Sequence, residues 1–167
     1  AFAAQGAWVI LAGRNLQALQ ELADSMPVSI TIHKLEFDDI QSHLSLRQFI
    51  SDSFGKVDVI VNAIGADTRK PLGEHQQDEI HKLLSTNLHG AILLTQTFLP
   101  LIKSQNDGTI VHIGGFADGR LAFPFYSVDA ATRAGMFTFI ESVNRELAIE
   151  KSNVVVGYFS PSPAETE

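Results

Sequence analysis

Short apolar runs alternate along this chain with longer stretches of helical periodicity. The apolar runs cover residues 8–12, 30–37, 57–63, 109–113 and 154–159. The helical patterns cover residues 16–26, 41–54, 74–84, 86–103 and 129–148. Strands this apolar cannot leave a face in water, so helices must cover the sheet on both sides. The alternation predicts an α/β fold with a doubly wound parallel sheet.

The ends of the chain lie next to predicted elements. Residues 1–5 look like the end of a helix that Gly6 closes, because glycine adopts a positive φ without a Cβ clash. The last apolar run stops at Pro161. We therefore expect one domain over residues 1–167 that lacks the first strand of its sheet and its C-terminal end.

Composition and charge exclude several kinds of partner. The formal charge is −7, so the overall field opposes binding to nucleic acid or to an anionic membrane surface. The chain has no cysteine, which removes disulfides and thiolate metal sites. Its six histidines show no metal-ligand spacing with carboxylates, so we predict no metal site. The cytoplasm is the expected location.

Residues 108–133 are where we expect reactive groups. The apolar run 109–113 ends in Gly114 and Gly115, and a helical pattern with Asp129 near its start follows Pro124. The segment therefore predicts strand, loop and helix. In open parallel sheets, ligands bind beyond the carboxyl ends of the strands, which is where this loop would lie.

Six motifs in order resemble the short-chain dehydrogenase/reductase family, and the likeness covers nearly the whole chain. They are GAWVILAGRN, the FDD around Asp38, VNAIG at 61–65, STNLHGAILLTQTFLPLI, GTIVHIGG and SPSPAET at 160–166. The resemblance implies a Rossmann-like fold and a nicotinamide dinucleotide cofactor. The glycine-rich phosphate loop of the family would precede residue 1.

The resemblance assigns cofactor-binding positions to the strand ends. Arg14 would grip a 2′-phosphate, or it is a solvated surface arginine; the lack of an acidic residue beside it favours NADP, with NAD possible. Asp38 would accept from adenine, or it caps the following helix. Asn62, with Ala63 and Gly65, would line the adenosine ribose, or it satisfies a buried turn.

Two further assignments follow from the resemblance. Pro161 and Thr166 would embrace the nicotinamide. Asn87 matches a family asparagine that holds a water in a proton relay, or it bonds backbone inside its helix.

The family's proton-transfer residues are not matched. The family uses a Tyr, a Lys four residues later that lowers the pKa of the Tyr, and a Ser hydroxyl that holds the substrate oxygen. Gly115 stands at the Ser position. If Tyr126 is the family Tyr, Ala130 stands at the Lys position. If the helix keeps the family length, which we prefer, Asp129 replaces the Tyr and Arg133 the Lys.

The substitutes make weak acids. We expect the cation of Arg133 to hold Asp129 ionised, as an ordinary i,i+4 salt bridge at a helix start. Tyr126 without its Lys would transfer protons slowly at neutral pH.

Two functions remain open at the level of sequence. One is an NAD(P)-dependent oxidoreductase of a small carbonyl or alcohol that works through an atypical site, with Asn87, Tyr126, Asp129 and Arg133 as its catalytic candidates. The other is a catalytically inactive relative that binds dinucleotide or a protein partner. By resemblance, helices 86–103 and 129–148 would pair between subunits, so we expect a homodimer or homotetramer.

Overall fold

The structure is a computed structural model that describes residues 2–115 and 122–161. Within them, strands and helices alternate in the predicted order. The strands are β1 (Ile10–Gly13), β2 (Thr31–Lys34), β3 (Val59–Asn62), β4 (Thr109–Ile113) and β5 (Val155–Phe159). The helices are α1 (Leu16–Asp24), α2 (Ile40–Phe54), α3 (Gln77–Leu84), α4 (Gly90–Gln105) and α5 (Ser127–Ile149). The predicted α/β class with parallel strands flanked by helices is confirmed.

All strand pairs in the described residues are parallel. β1 pairs with β2, and β3, β4 and β5 form a second sheet in that order. A groove of about 700 Å³ lies between β1 and β3, lined by Trp8, Phe54, Val59 and other residues. The two sheets therefore present neighbouring edges that do not pair with each other.

The core lies where the helices pack on these strands. One apolar cluster of buried side chains joins the helices to the second sheet. It includes Phe98 and Ile102 of α4, Ile110 of β4, Val156 of β5 and Met136 of α5. Burial of these side chains supplies the main driving force for folding, because apolar area leaves water. The cluster fixes α4 and α5 against the second sheet, and so positions the loops at its carboxyl edge.

Helix ends follow the local sequence signals. The Asn15 side chain accepts from Ala18 N at 3.1 Å and caps α1, as its position before the helical pattern suggests. Gly6 closes a short 3₁₀ turn (Ala3–Gln5) at φ 83°, as expected for a left-handed C-cap. At α2 the cap is Asp39, whose Oδ1 accepts from Gln41 N at 2.9 Å, and not the Asp38 that was the sequence candidate. Asp38 itself is exposed.

One predicted helix differs in kind. The sequence indicates a regular helix from residue 86, but Ser85–His89 form a π-helical turn between α3 and α4. Gly90 follows the π turn in close contact with Phe37: a Cβ atom on Gly90 would lie 2.6 Å from the Phe37 carbonyl oxygen. Such π turns are frequent at functional sites. This one carries Asn87, which is buried.

Candidate active site

The site lies at the carboxyl ends of β3 and β4, beside the start of α5. The turns after these strands carry Gly65 and Gly115, and the Arg133 side chain reaches both of them. A Cβ atom on Gly65 would lie 3.6 Å from Arg133 Nη2, and one on Gly115 would lie 3.2 Å from it. The guanidinium therefore occupies space that side chains at 65 and 115 would otherwise fill.

Asn87 connects the turn after β3 with α5. Its Oδ1 accepts from Ala66 N and its Nδ2 donates to Ala66 O, both at 2.8 Å. The same Nδ2 lies 3.1 Å from Asp129 Oδ1 and 3.4 Å from Thr132 Oγ1. The carboxamide thus fixes the turn and orients the carboxylate.

Asp129 and Arg133 form a buried ion pair in the first turns of α5. Arg133 Nε donates to Asp129 Oδ1 at 3.3 Å, and the two residues are 3% and 9% exposed. Burial raises the pKa of Asp129 above its ordinary value, although the nearby Arg133 acts to lower it. The expectation that the cation of Arg133 would lower the pKa of Asp129 is therefore not met, because burial acts in the opposite direction and is the larger cause.

Gly115 has a hydroxyl neighbour that sequence reasoning missed. Ser160 Oγ, just after β5, donates to Gly115 O at 2.8 Å. In the sequence it opens the SPSPAET motif at 160–166, but the motif gave this serine no role of its own. Pro161 follows it, half-buried, whereas Thr166 lies outside the described residues.

Tyr126 is not part of the buried cluster. It is the N-cap residue of α5, and its ring lies under the Arg69 guanidinium, 5.1 Å from the Cζ atom to the ring centroid. Phe123 contacts its edge at a centroid distance of 6.2 Å. Of the four catalytic candidates, Asp129 contacts both Asn87 and Arg133, whereas Tyr126 contacts Arg69 and Phe123.

The Asn62 side chain holds the turn after β3 through both of its polar atoms. Its Oδ1 accepts from Ile64 N at 3.1 Å, and its Nδ2 lies 3.0 Å from His112 Nδ1. Since Nδ1 then accepts, His112 carries its proton on Nε2, which lies 2.9 Å from Thr95 Oγ1. Burial lowers the pKa of His112 to about 4. This histidine is a neutral, hydrogen-bonded core residue.

The remaining cofactor candidates lie at exposed strand ends. Arg14 follows β1, and Ala63 and Gly65 follow β3; all three are exposed. Their positions leave backbone and a guanidinium open to a ligand at the carboxyl edge.

In the described part of the chain, every helix is too short or too polar to cross a membrane.

The family model for short chain dehydrogenases matches residues 1–167. The chain belongs to the short-chain dehydrogenase family. An uncharacterized oxidoreductase of Staphylococcus aureus is 28% identical over 97% of this chain and 69% of its own length. The bovine dehydrogenase/reductase SDR family member 7B is 29% identical over 99% of this chain and 53% of its own length.

Solved structures of short-chain dehydrogenases have the same fold. Serine dehydrogenase from Escherichia coli superposes with a TM-score of 0.88 at 26% identity, over 96% of this chain and 74% of that one. A short-chain dehydrogenase from Streptomyces avermitilis gives 0.86 at 25% identity, over 99% and 59%. A closed form of serine dehydrogenase in complex with NADP+ gives 0.88 at 26% identity, over 96% and 64%.

Proposed function

We propose that this short-chain dehydrogenase is an NADP-dependent oxidoreductase of a small carbonyl or alcohol, with NAD as a possible alternative cofactor, working through an atypical site. The observation that supports the proposal is the buried Asp129, which contacts both Asn87 and Arg133 at the carboxyl ends of β3 and β4. Ligands of open α/β sheets bind at this edge. A cluster that satisfied only the fold would not need two opposite charges there, because burying a charge is costly.

Residues of the chain fit a dinucleotide at the same edge. Arg14 is exposed after β1, where a guanidinium would meet a 2′-phosphate, and Ala63 and Gly65 leave exposed backbone after β3. The NADP+ complex of serine dehydrogenase is consistent with this choice of cofactor. A bound dinucleotide would supply or accept the hydride.

The proton would move through Asp129. Burial raises the pKa of Asp129, which makes its carboxylate a better proton acceptor. It would take up a proton and pass it to the substrate oxygen during reduction, and accept it back in the reverse direction. Arg133, one helical turn away, would contact the substrate and stabilise its negative charge during the reaction. Asn87 positions the carboxyl group through its 3.1 Å contact.

The second candidate is a relative that binds dinucleotide or a protein partner without turnover. The observation that favours it is the space next to Gly115, where the guanidinium of Arg133 lies and no side-chain hydroxyl extends from residue 115. In this case the ion pair would only hold the strand-end turns together.

A two-stage experiment separates the candidates. NADPH fluorescence titration measures binding, and a panel of small carbonyl compounds then measures turnover. The proposal expects the wild-type protein to bind NADPH and to turn over a carbonyl compound. Asp129→Asn should still bind NADPH but lose turnover. The control, Asp107→Asn, changes an exposed aspartate and should behave as wild type in both assays. Binding without turnover selects the second candidate, and failure to bind rejects both enzymatic and dinucleotide-binding functions.

Location and assembly remain proposals as well. We propose a cytoplasmic protein with a single domain over residues 1–167, which pairs through α4 and α5 into a homodimer or homotetramer. Phe137, on α5, is 39% exposed and offers apolar area to such a contact. Light scattering that gives the mass of a monomer at high micromolar concentration would contradict the assembly.

A further inference from the structure

We propose that Arg133 anchors the carboxylate of a small acidic ligand between the turns at Gly65 and Gly115. The inference rests on the proposed function, because it assigns the substrate to small oxo acids or hydroxy acids. The side chain is a charged group that is 11% exposed, and within residues 2–115 and 122–161 only its Nε has a hydrogen-bond partner. Its remaining donors point to a ligand.

The two outer nitrogens of the guanidinium have no hydrogen-bond partner in the part of the chain that the structure describes. Nε donates to Asp129, but neither Nη1 nor Nη2 donates to any described residue. A planar guanidinium held at Nε still offers a two-pronged edge, which matches the geometry of a carboxylate.

The walls of the site allow a close approach by a small group. Gly65 and Gly115 have no side chains, and both turns lie against the guanidinium, with prospective Cβ positions 3.6 and 3.2 Å from Nη2. No side chain at either position can therefore cover the donors. A larger residue at 65 or 115 would meet the guanidinium and shift its donors.

Binding of an anion here must depend on the positive charge of Arg133, because the net charge of the chain repels anions. The formal charge is −7. Asp129 partly neutralises Arg133, so a carboxylate would compete with Asp129 for the same cation. Because of this competition, removing the negative charge of Asp129 should strengthen anion binding. Removing the positive charge of Arg133 should abolish it.

The test is an NMR titration with sodium pyruvate and, separately, its uncharged ester methyl pyruvate. Amide shifts of Gly65 and Gly115 and the Nε signal of Arg133 report on the site. In the wild-type protein we expect pyruvate to shift all three signals and the ester to leave them unchanged. Equal shifts with both compounds, or with neither, would overturn the inference.

Variants then assign the binding to the guanidinium. Arg133→Gln should weaken pyruvate binding about tenfold or more, as loss of a charge-assisted pair predicts. Asp129→Asn should tighten it, and this second variant keeps the inference open to refutation if Arg133→Gln does not fold. The matched control is Arg145→Gln on the same helix, where the side chain is 77% exposed and pairs with Glu141. Unchanged affinity in Arg133→Gln, or weaker binding in Asp129→Asn, would contradict the inference.

Failure of the carboxylate anchor and failure of the proposed function give different experimental outcomes. Turnover of neutral carbonyl compounds with no pyruvate binding would remove the carboxylate anchor and leave the oxidoreductase. Pyruvate binding without NADPH binding would support the anchor and remove the oxidoreductase.

Discussion

The guanidinium carbon of Arg133 lies 3.2 Å from the position that a Cβ atom on Gly115 would occupy. Real Cβ atoms rarely come this close to a neighbour, so the two residues depend on each other. A side chain at 115 would force the guanidinium of Arg133 to shift by a few tenths of an ångström. Restoring a serine at 115 alone would therefore push against the guanidinium before it could hold a substrate oxygen.

We predict that Gly115→Ala destabilises the protein by about 1–3 kcal/mol, the usual cost of overpacking. The added methyl group must displace a guanidinium that Asp129 holds at Nε. Urea unfolding measures the change. Gly73→Ala is the matched control, because a Cβ atom there meets nothing within 4 Å. The cost should shrink by about 0.5 kcal/mol or more in an Arg133→Lys background, as for residues in contact; equal costs in both backgrounds would show that the two positions are independent.

We predict that Asn87→Ala lowers the free energy of unfolding by at least about 2 kcal/mol. The change leaves Ala66 N and Ala66 O without the carboxamide that bonds both, and each lost partner costs about 1–3 kcal/mol where the group stays buried. Thermal and urea unfolding provide the measurement. Asn153→Ala, at an exposed asparagine, should stay within about 0.5 kcal/mol of wild type. A loss as small as that control would mean that the turn after β3 does not need Asn87.

His112 should make stability depend on pH on the acidic side of neutrality. Burial lowers its pKa in the folded protein to about 4 from the ordinary 6.5, so the unfolded chain binds more protons between these values. Stability is therefore fully present above pH 6.5 and is lost as the pH falls toward 4. Each pKa unit is worth 1.36 kcal/mol, which gives a loss on the order of 3 kcal/mol for this residue.

Urea unfolding at pH 7.0 and 5.0 tests this prediction. His112→Asn should flatten the slope, since asparagine keeps a polar group and does not titrate. His81→Asn, at an exposed position, should retain the wild-type slope. Parallel pH profiles for wild type and His112→Asn would disprove the assignment.

Arg14 should discriminate between the two dinucleotides. If its guanidinium meets the 2′-phosphate, Arg14→Gln should weaken NADPH binding by about tenfold or more and leave NADH binding unchanged, because only NADPH carries that phosphate. Fluorescence titration measures both affinities, with Arg145→Gln as a control for loss of a positive charge elsewhere. A similar loss for both dinucleotides would remove Arg14 from the phosphate site.

Several local features were predictable because neighbours in sequence decide them. The order of strands and helices follows from apolar runs and helical spacing, and Asn15 caps α1 through a residue three positions away. Prediction was less accurate where two neighbouring residues were equally suited to the same structural role. Asp38 and Asp39 both suit a helix start, and the fold uses Asp39. Trp8 reads as part of a strand, but it lies 82% exposed before β1.

The sequence by itself determined the parallel α/β class and the family, since periodicity, caps and ordered motifs are written in short segments. Tertiary structure decided the site. Asn87 meets Asp129 only because the π turn before α4 and the start of α5 pack together, although 42 residues separate the two in the chain. The direction of the Asp129 pKa was likewise decided by burial, a property of the surroundings that spacing along a helix does not contain.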